Sequence, residues 1–446
     1  MTAKIFLAAL LVSLSSAAQP VVFEHVRLID GTGRPPQEDS LLVIEGGRIL
    51  AAGKAGKVKR PKDARVVDAS GKTIIPGLIV SHGHVGVVMD GQNRPDAYTR
   101  ENVQAGLLQY EQYGVTSVLT LGLNRDLVYD LREEQRQGKL SGASLFTAGR
   151  GIGAPGGAPP LPLAPDQVYR PKTADEAVAA VREMAGHHPD FLKIWVDDVF
   201  GKFPKMDPAV FAAVIDEAHR QKLKVASHVF YLDDAKALIG KGIDALGHSI
   251  RDRDVDPELI ALMKERGTFY VATLNVDESS FAFLDDPTLF DNPWFRNALS
   301  PEALEQLRSP EYRNKVMSDP NLAKNRAALA TGMRNLKALH AKGIRISFGT
   351  DSGGNPVRIP GWAEHRELEL MVKAGLSPMD ALVAATRGAA AMLAAANRGT
   401  LAKGQRADFV VLAANPLEDI RNTRQIVATW NGGREVQPRV ALAAAH

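Results

Sequence analysis

Through the middle of the chain, short apolar runs alternate with longer segments whose apolar positions recur every three to four residues. The apolar runs fall at 74–82, Val115 to Gly122, Ser144 to Gly149, Phe191 to Val196, Lys224 to Val229, Ala245 to His248, Thr268 to Leu274 and Ile344 to Gly349. Helical patterns separate them, as in Asp207 to Gln221, Pro257 to Arg266 and Asn321 to Lys342. Eight strand–helix units predict an α/β chain built on a parallel (β/α)8 TIM-type barrel. A doubly wound open sheet shares this periodicity. The count of eight, and the lack of Gly-x-Gly-x-x-Gly after the first strand, favour the barrel.

Both ends read differently. Residues 21–72 alternate apolar and polar positions, as in Val22-Phe23-Glu24-His25-Val26-Arg27-Leu28-Ile29, with turn signals at Asp30-Gly31 and Gly46-Gly47. The same alternation returns at Ala407-Asp408-Phe409-Val410-Val411-Leu412 and from Thr423 to Asn431. The stretches 21–72 and 399–437 thus predict one small β-sandwich module assembled from both termini, around a barrel at 73–398. Independent terminal hairpins are the alternative. Within the barrel, 276–320 is too long for an ordinary connection. It carries Phe281, Phe283, Phe290, Trp294, Phe295 and Tyr312. A lid or substrate-lining insertion is expected there, with structural padding or a contact in a homo-oligomer as alternatives.

Lys4, the apolar run Ile5 to Leu14 and Ser15-Ser16-Ala17-Ala18 have the layout of a secretory signal peptide over 1–18, cleaved near Ala18–Gln19. The run is too short to span a bilayer. A periplasmic or secreted protein is therefore expected, with no membrane association after signal removal. The net charge of +3 and the lack of long Lys/Arg runs argue against nucleic acid as a partner. No cysteine is present, so neither a disulfide nor a thiol-linked lipid is available.

Candidate chemistry lies where apolar runs stop, because barrel enzymes place their reacting groups at the C-terminal ends of strands. His82 and His84 leave the first strand side by side, about 7 Å apart along the backbone. Lys193 lies on the fourth strand, His228 and His248 close the fifth and sixth, and Asp351 follows the eighth. Four of the eleven histidines therefore fall at strand ends. Imidazoles with a carboxylate suit borderline divalent cations such as Zn²⁺. A buried lysine loses its proton readily, and its amine then reacts with CO₂ to give a carbamate that bridges two metals. Arg150 after the third strand, Arg251 after His248, and Arg358 and His365 after Asp351 are candidate partners for a substrate carboxylate.

Together with Pro76-Gly77-Leu78-Ile79, Gly349-Thr350-Asp351 and Gly399-Thr400-Leu401…Gly404…Ala407-Asp408, these residues make the chain resemble the amidohydrolase superfamily. The resemblance covers about residues 21 to 437 and is strongest to the imidazolonepropionase-like and Xaa-Pro dipeptidase-like branch. It implies two divalent metal ions, with His82, His84 and Asp351 on one and His228 and His248 on the other. Lys193, as N6-carboxylysine, and a hydroxide would bridge them. Asp351 would act as the catalytic base, and Tyr231 would bond the developing oxyanion or a substrate carboxylate. The implied activity is hydrolysis of an amide C–N bond in a small molecule such as a dipeptide or N-acyl amino acid. Opening of a cyclic amide or lactone needs the same hydroxide. Deaminases of the superfamily commonly carry glutamate where this chain has Tyr231, and a non-catalytic protein would not need the full ligand set. Relatives commonly have histidine after Pro-Gly-Gly in the third loop, where this chain has Ala158, which puts dipeptidase specificity in doubt.

Overall fold

The computed structural model describes residues 19–437, so the expected signal peptide lies outside the described residues. Eight parallel strands form two arcs. Leu78–Gly83, Val115–Thr120 and Ser144–Thr147 make the first; Leu192–Val196, Val225–Val229, Ala245–Leu246, Phe269–Val271 and Ile346–Ser347 make the second. Parallel bridges Ile152↔Ile194 and Gly83↔Ser352 join the arcs at both seams and close the barrel. Helices Pro208–Arg220, Pro257–Arg266 and Leu322–Ala341 stand where the helical periodicity put them. Strand interiors such as Val80, Val118, Leu192 and Val225 are fully buried, as expected when a parallel sheet is covered on both faces.

The apolar run at 74–82 is split. Thr73–Pro76 pairs with Phe409–Leu412 in the terminal sheet, and the first barrel strand starts only at Leu78. Gly77 marks the crossing, since a Cβ there would lie 2.3 Å from the Thr116 side chain. The terminal module is an eight-stranded sheet drawn from both ends of the chain, with Val21–Leu28 pairing to Gln37–Glu45, Arg65–Asp68 and Thr73–Pro76. Phe23 sets its ring edge against Phe409 and Trp430, each at 5.3 Å, which anchors the N-terminal strand on the C-terminal ones.

The 276–320 segment is a string of short helices. Pro287–Asp291, Pro293–Arg296, Pro301–Arg308 and Pro310–Met317 each open on proline behind a capping Asp286, Asn292, Ser300 or Ser309. Its aromatic residues face one another: Phe295 lies 5.4 Å from Phe283, 5.8 Å from Phe290 and 5.1 Å from Trp362. They extend the barrel's own hydrophobic core, and only Val276, Asp277 and Ser280 of the segment reach the barrel mouth.

Candidate metal centre and substrate cavity

His82 and His84 project from the end of the first strand, and Asp351 follows the eighth. Asp351 Oδ1 lies 3.0 Å from His82 Nε2 and 2.8 Å from His84 Nε2. The ligand atoms of the three residues all fall within 4.8 Å of one another, and all three residues are buried. Backbone carbonyls set the tautomers: His82 Nδ1 is 2.7 Å from the Gly247 oxygen, and His84 Nδ1 is 3.2 Å from the Gly122 oxygen. A carbonyl only accepts, so each Nδ1 donates and each Nε2 turns its lone pair toward Asp351. Burial holds His82 at about 3, which keeps its ring neutral. Lone pairs then face a carboxylate at hydrogen-bond range, an arrangement that a cation between them makes favourable. The donor set fits a divalent metal.

Close approach of the strands depends on glycine. A Cβ on Gly349 would lie 2.7 Å from His82 Cβ, and one on Gly247 would lie 3.1 Å from Lys193 Nζ. Asp351 has φ +58°, a left-handed conformation that aspartate tolerates better than most residues. Its amide donates to the His82 oxygen at 2.8 Å. Beneath it, Glu364 accepts from Thr350 Oγ1 at 2.5 Å and from Ser352 Oγ at 2.7 Å, clamping the residues on either side.

Lys193 is 1% exposed, with Nζ 3.5 Å from His82 Nε2. Burial lowers its pKa to about 7, so much of the amine is neutral at physiological pH. His228 and His248 complete the cluster, with ring centroids 4.2 Å apart and His248 4.6 Å from His82. His248 Nδ1 meets Thr273 Oγ1 at 2.8 Å, and His228 Nε2 meets Asp197 Oδ2 at 2.8 Å. Burial works against the Asp197 anion, but the bond from His228 holds its carboxyl down at about 2. Asp197 therefore accepts a hydrogen bond from the His228 Nε2–H, which leaves the Nδ1 lone pair available to a metal.

A cavity of about 320 Å³ opens over the cluster, lined by His84, His228, Asp351, Trp195, Arg251 and Arg358 among others. Arg358 bonds Asp351, and Arg251 lies over the Phe230 ring at 4.8 Å with its Nε 3.2 Å from Asp277 Oδ1. Burial opposes the Asp351 anion, but the Arg358 guanidinium beside it holds its carboxyl well below the ordinary carboxylate range. A larger cleft of about 840 Å³, lined by Glu278, Arg326, Arg366 and Arg424 among others, holds no histidine. The chemistry, not the volume, picks the smaller cavity.

His82, His84, Lys193, His228, His248 and Asp351 are thus gathered at one point. Three other candidates are not, and the expectation that they face substrate is corrected. Tyr231 caps helix Leu232–Gly240, donates to Asp198 Oδ1 at 2.7 Å and carries Lys205 Nζ 4.0 Å above its ring. Arg150 bonds Asp126 and lies over Tyr169 at 4.9 Å. His365 is buried behind the barrel wall, its ring held between the Tyr113 oxygen and Thr423 Oγ1, each at 2.9 Å. Sequence reading missed Asp197 and Thr273. Asp197 had a signal: with Lys193 and Trp195 it occupies alternate positions, which share one face of a strand.

The sequence model of the "Amidohydrolase family" matches residues 73–436. The chain belongs to the amidohydrolase family. Enzymes of the amidohydrolase family generally use divalent metals, and His82, His84 and Asp351 can hold one. Ochratoxinase from Aspergillus niger is 28% identical over 238 residues, 52% of this chain and 42% of that protein. Imidazolonepropionase from Deinococcus deserti is 37% identical over 98 residues, 21% of this chain and 24% of that protein. The chain thus matches less than half the length of either relative. A crystal structure of a Xaa-Pro dipeptidase with bound methionine superimposes with a TM-score of 0.73 at 24% identity, covering 94% of this chain and all of that one. At that identity, the likeness carries the amidohydrolase fold alone.

Proposed function

We propose that this chain is a metal-dependent hydrolase that cleaves an amide C–N bond in a small substrate. The observation that carries this reading is the convergence of four imidazoles, Lys193 and Asp351 beneath one cavity of about 320 Å³. That volume sits at the lower end for small-molecule sites and suits a dipeptide or N-acyl amino acid. Arg251 and Arg358 in its wall support a substrate that carries a carboxylate.

We propose that His82, His84 and Asp351 would hold one ion, that His228 and His248 would hold a second, and that Lys193 as N6-carboxylysine would contribute to both. Zn²⁺ is the metal this donor set favours. When bound, the ions supply a Lewis acid and a water of lowered pKa. The protein's own residues do the rest. Asp351 takes the proton of the attacking water as it adds to the carbonyl carbon, then returns that proton to the nitrogen as the C–N bond breaks. The Gly247 and Gly122 carbonyls hold the Nδ1–H groups of His82 and His84, which keeps both Nε2 atoms turned toward Asp351. Trp195 and Phe230 give the cavity an apolar wall.

We further propose that residues 1–18 direct export, on the strength of Lys4 and the apolar run Ile5 to Leu14. N-terminal sequencing of protein from the native host then returns Gln19, and a chain starting at Met1 would remove that reading. The activity is tested by incubating Zn²⁺-loaded protein grown with bicarbonate against dipeptides, N-acyl amino acids, cyclic amides and lactones. Turnover of dipeptides or N-acyl amino acids, lost on chelation and restored by Zn²⁺, supports the proposal. Turnover confined to lactones would overturn the amide assignment.

A further inference from the structure

A second cleft, of about 630 Å³, lies at the opposite end of the barrel, where the strands begin. It is lined by Arg136, Arg398, Arg406 and Arg434 and by no carboxylate. Arg398 Nη1 donates to Ser117 Oγ at 2.7 Å, and Arg406 Nη1 donates to Ser144 Oγ at 2.9 Å. Ser117 and Ser144 are register partners on adjacent strands, so the two guanidiniums are anchored side by side, about 5 Å apart.

The counter-charges are unevenly shared. Arg406 pairs with Asp408 at 3.0 Å, Arg434 with Glu111 at 2.6 Å, and Arg136 reaches Glu133 at 3.9 Å. Asp408 is fully engaged, since its other oxygen accepts from the Gly432 amide at 2.7 Å. Among the described residues, Arg398 has no carboxylate at ion-pair distance, although it is half-buried and lies over the Phe146 ring at 5.3 Å. Burial pushes its pKa down; the Asp408 charge acts against that, and the neighbouring Arg406 charge adds to it. A half-buried cation without a counter-ion, set beside a second cation, leaves a charge imbalance that an anion from solution offsets.

We propose that this cleft binds a phosphate group, either free or carried on a small molecule. Two guanidinium forks approaching from separate anchors match a tetrahedral oxyanion, which accepts in several directions, better than a planar carboxylate. The cleft also joins parts of the chain distant in sequence. Arg136 closes helix Leu127–Arg136 of the barrel, Arg398 and Arg406 lie on the connection leading to the terminal sheet, and Arg434 belongs to that sheet. A bound phosphate would tie sheet to barrel and stabilise the whole molecule through linkage. The site is remote from the metal centre, so its occupancy stands or falls independently of the hydrolase reading.

The test is calorimetric titration of the Zn²⁺-loaded full-length protein with inorganic phosphate at fixed ionic strength, beside Arg398→Gln and Arg136→Gln. Amide hydrolysis in the same buffers reports any phosphate held at the active site. The proposal expects saturable binding that Arg398→Gln weakens at least ten-fold and Arg136→Gln weakens less. It also expects unchanged kcat/KM in both variants and a phosphate-dependent Tm rise of roughly 2–4 °C in the parent protein only. Tighter binding of ribose 5-phosphate than of inorganic phosphate identifies a phosphorylated molecule as the ligand, and the reverse order identifies free phosphate. Phosphate binding that is absent from the parent protein, or equal in folded Arg398→Gln, overturns the site. Self-association through this cleft without phosphate binding overturns it as well.

Discussion

Asp351 does two things that a single substitution separates: its Oδ1 faces the Nε2 atoms of His82 and His84, and its carboxylate accepts a proton. Asp351→Asn keeps an oxygen at that point and removes the acceptor. We expect metal content to be largely retained and kcat to fall at least about 100-fold, the range for a lost general base. Steady-state kinetics with metal analysis checks this, and a near-parental kcat would mean that another group moves the proton. Lys193→Ala is expected to behave differently, losing activity together with metal, with partial rescue by short carboxylic acids. Two ions per chain and full turnover in that variant would exclude a carbamate. Asp197→Asn tests orientation. It removes the anion that accepts from His228 Nε2–H, and losing such a partner typically weakens metal affinity 10–100-fold. Five of the six clustered residues could be read from sequence because each ends or directly follows an apolar run, and Lys193 because it is a lone charge inside one, Leu192–Val196; a strand fixes where such residues point. Tyr231, Arg150 and His365 could not be placed that way. Their orientation depends on partners from elsewhere in the chain, Asp198, Asp126 and Thr423, which no local pattern reveals.

Elements with strong internal periodicity kept their predicted places, as helix Pro257–Arg266 did to the residue. Boundaries failed where one apolar run serves two sheets, because burial looks the same on either side of Gly77. The 276–320 segment was hardest to read, since its aromatic residues suit a ligand pocket as well as a core. Their mutual packing makes a stability role the expected one. Phe295 is fully buried and touches Phe283, Phe290 and Trp362. Phe295→Ala should therefore destabilise the fold by about 3–5 kcal/mol. Because no aromatic residue of this segment lines the cavity, KM should stay within about two-fold of the parent value. Denaturant unfolding and kinetics on the same preparation separate the two effects. A large rise in KM with little loss of stability would return the segment to the role of a lid.

At the scale of the whole molecule, buried neutral imidazoles make stability depend on pH in a definite direction. His365 is held by burial at about 3, against an ordinary value of 6.5, and lies far from the candidate ligands. Between those values the unfolded chain takes up a proton at this position and the folded chain does not. Stability is therefore full above about pH 6.5 and is lost as pH falls toward 3. His82, also held at about 3, acts in the same direction, and bound metal strengthens its effect because protons compete for the same nitrogen. The His365 share can be isolated because its ring contacts Tyr113 and Thr423 and none of the candidate ligands. His365→Gln removes one titrating group while keeping an amide that can donate to the Tyr113 oxygen. Urea unfolding at several pH values between 6 and 4 should give the parent protein a steeper loss of stability than the variant. The difference should approach 1.4 kcal/mol per pH unit, the equivalent of one proton, by about pH 5. The variant is expected to be less stable at pH 7, where the native ring makes both hydrogen bonds, so the two curves should converge as the pH falls. Parallel curves would mean that His365 titrates equally in both states, and that its burial carries no electrostatic cost.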